Sequence, residues 1–210
     1  IGQTTVNIAA GEHVHVQNLG MGEHSRDYAH ASEARALDAA TAERVFDGYH
    51  RADGRVGTRN YLGILTSVNC SGSVAKFIAE AAEKSGLLDA FPNIDGIVPI
   101  THGTGCGMSG ENEGYDTLFR TLSGYAQHPN FGGILLIGLG CEVMQVSALV
   151  DGRPIRADGA LRYMTIQHEG GTRKTIEKGL EELRGIAELA NTATRKPASI
   201  SHLTVGMQCG

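Results

Sequence analysis

Gly132–Cys141 reads GGILLIGLGC, and the reading of this stretch decides the fold. A run of Ile and Leu fenced by glycines, too short for a helix, is the pattern of a strand buried on both faces. Three further segments share its form: Tyr61–Cys70 (YLGILTSVNC), Ile94–Cys106 (IDGIVPITHGTGC) and His202–Cys209 (HLTVGMQC). Each apolar run ends in a turn that carries a cysteine. If these strands run parallel, Cys70, Cys106, Cys141 and Cys209 all stand at the carboxyl edge of one sheet, where open α/β sheets bind ligands.

The segments between them carry helical spacing. Val74, Phe77, Ile78 and Ala81 mark a helix at about Ser73–Ser85, and others are expected at about Gly114–Tyr125 and Glu142–Leu149. Ile176, Leu180, Leu183, Ile186 and Leu189 share one face of a helix over Thr172–Ala190, after a strand at 161–166. Strands alternating with helices give an α/β class, with a mostly parallel, Rossmann-like sheet flanked by helices. Upstream, residues 1–20 alternate around an Ala-Ala-Gly-Glu turn and read as a small β-hairpin. Residues 21–47 read as a linker. Gly48–Asn60 (GYHRADGRVGTRN) is a Gly- and Arg-rich loop, and residues 48–210 form the α/β domain.

Composition narrows the function classes. The chain has 210 residues, 41% of them hydrophobic and 20% charged, which fits a soluble globular protein. A net charge of −5 gives no general attraction to nucleic acid. No apolar run is long enough to span a membrane, and none has signal-peptide flanks. Four cysteines without a CxxC spacing, in a chain too large to need staples, favour reduced thiols and a cytoplasmic location.

Four places can carry chemistry. Val68–Ser73 (VNCSGS) is a strand-to-helix turn whose amides and hydroxyls, with Asn69 and Ser71, suit a carboxylate or phosphate. A helix start capped by Ser71 or Ser73 explains it equally well, and a P-loop lysine is missing. In Thr101–Gly107 (THGTGCG), His102 and Cys106 can turn onto one ligand, with His102 as general base or ligand. Cys141 and Glu142 open a helix whose positive end favours thiolate and carboxylate. Gln167, His168 and Glu169 add polar groups at the same edge. Elsewhere, Arg51, Arg55 and Arg59 lie in a loop and match planar carboxylates. His13 and His15 would face one side of a strand and could bind metal or substrate.

Together these motifs resemble the altronate/galactarate dehydratase family of sugar-acid hydro-lyases. The resemblance runs through AAGEHVHVQN at 9–18, GYHRADGRVGTRNYLGILTSVNCS at 48–71, DGIVPITHGTGCG at 95–107, HPNFGGILLIGLGCE at 128–142, IQHEGGTRKTIEKG at 166–179 and GMQCG at 206–210. It implies that residues 1–20 are the last strands of a β-clip (SAF-type) domain and that the chain is part of a longer protein. It also implies loss of water from an aldonate or aldarate, giving a 2-keto-3-deoxy acid, with Fe(2+) as the metal and Mn(2+) as its substitute. On that footing Cys70, Cys106, Cys141 and Cys209 are the metal-ligand candidates. His102 and Glu142 are the catalytic candidates. Arg51, Arg55, Arg59, Asn69, Ser71, His13 and His15 are the substrate-binding candidates. The expected partner is a small sugar acid, with neither nucleic acid nor membrane, and a homo-oligomer is compatible with it. Two alternatives stay open: a sulfolactate sulfo-lyase of the same family, and a non-catalytic Rossmann-like module for an anion or nucleotide.

Overall fold

The structure is a computed structural model, which describes residues 2–21, 43–110, 112–151 and 160–208. The chain divides into two compact units, Ile1–Thr41 and Ala42–Gly210. In the first, β1 (Gln3–Thr4) pairs antiparallel with β2 (Leu19–Gly20). The hairpin expected over 1–20 is therefore closed only at its base. His13 and His15 lie between the strands rather than on one, with ring centroids 5.8 Å apart.

The second unit begins with β3 (Val45–His50) and β4 (Val56–Gly57), followed by β5 (Tyr61–Thr66), α1 (Gly72–Lys84) and β6 (Gly96–Ile100). Then come α2 (Glu113–Ala126), β7 (Phe131–Gly138), α3 (Val146–Asp151), β8 (Leu161–Thr165), α4 (Thr172–Ala190) and β9 (Arg195–Ser199). Four strands form a parallel sheet in the order β6-β5-β7-β8. Every residue of β7 is buried, as expected for a central strand covered on both faces.

Alternation along the strands splits the core into two halves. Leu62, Ile64, Leu135 and Ile137 pack with Val74 and Ile78 of α1 and Leu183 and Ile186 of α4. Leu65, Ile134 and Leu136 pack on the opposite face with Leu118 and Leu122 of α2 and Leu149 of α3. Helix α2 starts where Asn112 Oδ1 accepts from the Tyr115 amide at 2.8 Å, with Glu113 and Asp116 in its first, positive turn.

One feature departs from expectation. Strand β9 lies at Arg195–Ser199 and pairs antiparallel with β3, in a separate sheet of order β4-β3-β9. The parallel strand expected at 202–207 does not form; after a 3-10 turn at Ile200–His202 these residues are exposed coil. Their apolar side chains find no neighbouring strand, so Val205 and Met207 stay in solvent. Cys209 lies outside the described residues. Strand β3 also takes in part of the expected linker and of the Gly/Arg-rich loop.

Candidate functional site

The order β6-β5-β7-β8 contains one reversal. The chain leaves β5 for β6 on one side, and β7 then lies on the other side of β5. At such a switch point the loops after the two central strands turn away from each other and leave a crevice at the carboxyl edge. The loops bordering it are Ser67–Ser71 after β5 and Leu139–Cys141 after β7, with Thr101–Gly107 following β6 beside them. Each carries an exposed, free cysteine: Cys70, Cys141 and Cys106.

Internal polar contacts fasten these loops to one another. Glu142 is only 5% exposed, and its carboxylate accepts from Ser67 Oγ at 2.7 Å, Leu139 N at 3.1 Å and Gly140 N at 2.6 Å. It thereby binds its own turn, with Cys141, to the end of β5. A side chain on Gly138 would strike this carboxylate, since its Cβ would stand 2.2 Å from Glu142 Oε1. Glycine at this position leaves the carboxylate its seat.

On the other flank, His102 Nε2 meets the Thr66 carbonyl at 2.9 Å, and Thr104 N meets His102 Nδ1 at 3.3 Å. A carbonyl only accepts and an amide only donates, so the ring carries its hydrogen on Nε2 and both nitrogens are engaged. Asn69 N donates to the Thr104 carbonyl at 2.8 Å. Gly105, at φ 99°, lies so close to Val68 that a Cβ would sit 2.9 Å from its Cα, so the close approach requires glycine.

These clamps bring the thiols together. Cys70 donates weakly to Asn69 Oδ1 at 3.6 Å. Desolvation, the charge and hydrogen bond of Cys106, and the charge of Cys141 all push the Cys70 thiol above its ordinary value. Among the described residues, no group of three or more His, Cys, Asp and Glu side chains closes round a single metal ion.

The remaining expected site residues separate into two sets. Asn69 stands at the rim beside Cys70. Ser71 does not face a ligand: it is fully buried, and its hydroxyl points to the Val68 and Ile137 carbonyls at 2.8 and 2.9 Å. The arginines need a larger correction, because they stand at the amino edge of the sheet. Arg51 donates to the Pro129 carbonyl at 2.8 Å, to Asn60 Oδ1 at 3.0 Å and to the Arg59 carbonyl at 3.2 Å. Arg55 pairs with Asp53 at 2.6 Å and donates to the Gln127 carbonyl. Arg59 turns back to the Thr58 carbonyl at 3.1 Å. Six residues of β5, at roughly 3.3 Å each, put this edge about 20 Å from the cysteines. No side chain bridges that distance.

Sequence reasoning gave His168 no role of its own. It follows β8 at the cysteine edge, exposed and without a hydrogen bond to any described residue. Its place after a parallel strand was the available signal. An open groove of about 500 Å³ beside β6, lined by Tyr61, Val98, Ile100, Tyr125, His128 and Phe131, is apolar and includes none of the cysteines. No described helix is long and apolar enough to cross a membrane.

A family model described as D-galactarate dehydratase/altronate hydrolase, second domain, matches residues 48–191. An altronate dehydratase of Escherichia coli is 32% identical over 216 residues, covering 100% of this chain and 41% of the relative. The galactarate dehydratase (L-threo-forming) of the same organism is 36% identical over 177 residues, covering 79% and 33%. The (2R)-sulfolactate sulfo-lyase subunit beta of Chromohalobacter salexigens is 30% identical over 167 residues, covering 80% and 38%. The chain thus spans 41% of the length of the altronate dehydratases it matches.

Proposed function

The chain belongs to the D-galactarate dehydratase/altronate hydrolase family through that family's second domain, and from this premise we propose that it serves a sugar-acid hydro-lyase. The reaction is removal of water from an altronate- or galactarate-type acid to give a 2-keto-3-deoxy acid. The observation that carries the reading is that three contacting loops at the carboxyl edge, beside the sheet's switch point, each present an exposed cysteine, Cys70, Cys106 and Cys141.

The chemistry sets the requirements. Taking a proton from carbon beside a carboxylate builds enediolate charge, which needs a cation or several aimed donors. The arginines, at the far edge, do not supply it. Thiols are soft donors that suit iron better than magnesium or manganese, so iron remains the proposed metal. Iron bound at the rim would supply Lewis acidity toward the substrate oxygens. The described side chains do not close round a lone ion.

This chain's own residues divide the work. Glu142 and His102 hold the loops that carry the cysteines. His168 is the exposed imidazole at that edge and the candidate for proton transfer. Asn69, at the crevice, can donate to a substrate carboxylate or hydroxyl.

Calorimetry of the anaerobic, iron-loaded protein with altronate, galactarate and a nucleotide tests the reading. Selective binding of a sugar acid supports it, and nucleotide binding alone rejects it. Similarity to the sulfo-lyase subunit supports a second reading, in which sulfite leaves instead of water. Sulfite release from sulfolactate, without keto-deoxy acid from altronate, would select it.

A further inference from the structure

Resting on the proposed use of iron at this rim, the geometry points to a four-iron, four-sulfide cluster held by Cys70, Cys106 and Cys141, with its fourth iron left open toward the crevice.

Three features of the rim carry this. Each of three loops offers one exposed cysteine, and the imidazole and carboxylate carried by the same loops, His102 and Glu142, are occupied by backbone and hydroxyl groups. Thiolate ligands are the set that iron–sulfur clusters use. Second, the three loops are in direct contact, through Asn69 N to the Thr104 carbonyl, Gly105 against Val68 and Ser67 Oγ to Glu142, yet no three donors close on a single centre among the described residues. A lone tetrahedral ion needs each sulfur about 2.3 Å from one point. A cubane spreads its protein ligands over separate irons and so takes a wider triangle.

Third, the loops are preorganised from beneath. A buried carboxylate, a histidine with both nitrogens engaged and a glycine at positive φ all serve to keep three exposed thiols side by side. Outer contacts of this kind orient metal ligands. Without a cation, packing thiolates together is unfavourable, because like charges repel.

Assembly conserves charge and atoms. Each thiol gives its proton to solvent and its sulfur binds one iron, with ferrous iron, sulfide and a mild oxidant supplying the cluster core. Three ligands for four irons leave one position for a substrate oxygen.

Anaerobic reconstitution with ferrous and ferric iron, sulfide and dithiothreitol, the ferric iron serving as the oxidant, tests this, read by iron and acid-labile sulfide content and by broad visible absorption. The expected result is about four irons and four sulfides per chain. Cys70→Ser, Cys106→Ser and Cys141→Ser should each lose at least tenfold of the bound sulfide, with far-UV circular dichroism unchanged. Cys209→Ser should keep the cluster. One iron per chain without sulfide would overturn the proposal. So would loss of the cluster in Cys209→Ser equal to that in the other three, retention in all four variants, or a Cys70–Cys106 disulfide formed in place of iron uptake. Altronate titrated into the same samples reads the function separately. A cluster without sugar-acid binding would reject the hydro-lyase alone, and sugar-acid binding without a cluster would reject the cluster alone.

Discussion

The two edges of the parallel sheet use polar side chains in opposite ways. At the amino edge the polar side chains are engaged by the fold. Asn60 is fully buried; its amide donates to the Asn93 and Ala190 carbonyls at 2.7 and 3.0 Å, and its Oδ1 accepts from Arg51. Arg195 lies over the Tyr49 ring at 4.6 Å and joins β9 to the Asp47 and Thr58 carbonyls. This network ties the small antiparallel sheet to the start of β5 and β7. At the carboxyl edge the buried Glu142 and the partly buried His102 do the fastening, and the cysteines project into solvent. Side chains satisfied by the fold hold it together, and those left over at the opposite edge are available for chemistry.

The largest effect expected is at the amino edge. Asn60→Leu strips partners from two carbonyls and from Arg51 and should cost about 3 kcal/mol in urea unfolding. The cysteines should keep their relative reactivity in the folded state. A loss below about 1 kcal/mol would mean that this edge is not the fastening the contacts describe.

At the other edge Glu142→Gln is the matching change. It keeps the shape but turns an amide NH2 toward groups that donate, and should cost about 2 kcal/mol. It should also alter the alkylation rate of Cys141 relative to Cys70, which Asn60→Leu should not. Unchanged thiol reactivity would separate Glu142 from the site.

Arg55→Ala sharpens the comparison from below. The Arg55–Asp53 pair is about half exposed, 48% and 49%, and such pairs contribute about 0–1 kcal/mol. Stability should fall by no more than that, and sugar-acid affinity should not change. A tenfold weaker sugar-acid affinity would return the arginines to the site.

The smallest effect concerns acid. Burial and the Arg55 charge hold His128 below its ordinary value of 6.5. The folded state then binds this proton less tightly than the unfolded one, so stability is full above about pH 6.5 and declines as pH falls below it. His128→Gln should flatten that decline in urea midpoints measured between pH 7 and pH 5. An unaltered slope would contradict the assignment.

The parallel sheet was legible because buried strands are short apolar runs and helices repeat at 3.6 residues; α4 falls at Thr172–Ala190, where its apolar face placed it. The β3–β9 pairing was not legible, since VFDGYH and RKPAS carry little apolar alternation and their register is fixed by tertiary contacts. HLTVGMQC misled in the opposite sense, having strand composition without a strand to pair with. The arginines were misplaced for a reason the sequence did contain. Residues that precede a parallel strand lie at the edge opposite those that follow it, and Arg51, Arg55 and Arg59 all precede β5. His102 and Glu142 were found by position, but hydrogen bonds alone reveal that they serve as clamps.

Bifunctional alkylation reads the central claim directly, because a short, flexible bis-maleimide joins only cysteines that share one rim. Under reducing, anaerobic conditions the account requires intramolecular links in each pair drawn from Cys70, Cys106 and Cys141. Modification of all three cysteines with no links between them would show that their sulfurs do not share one rim.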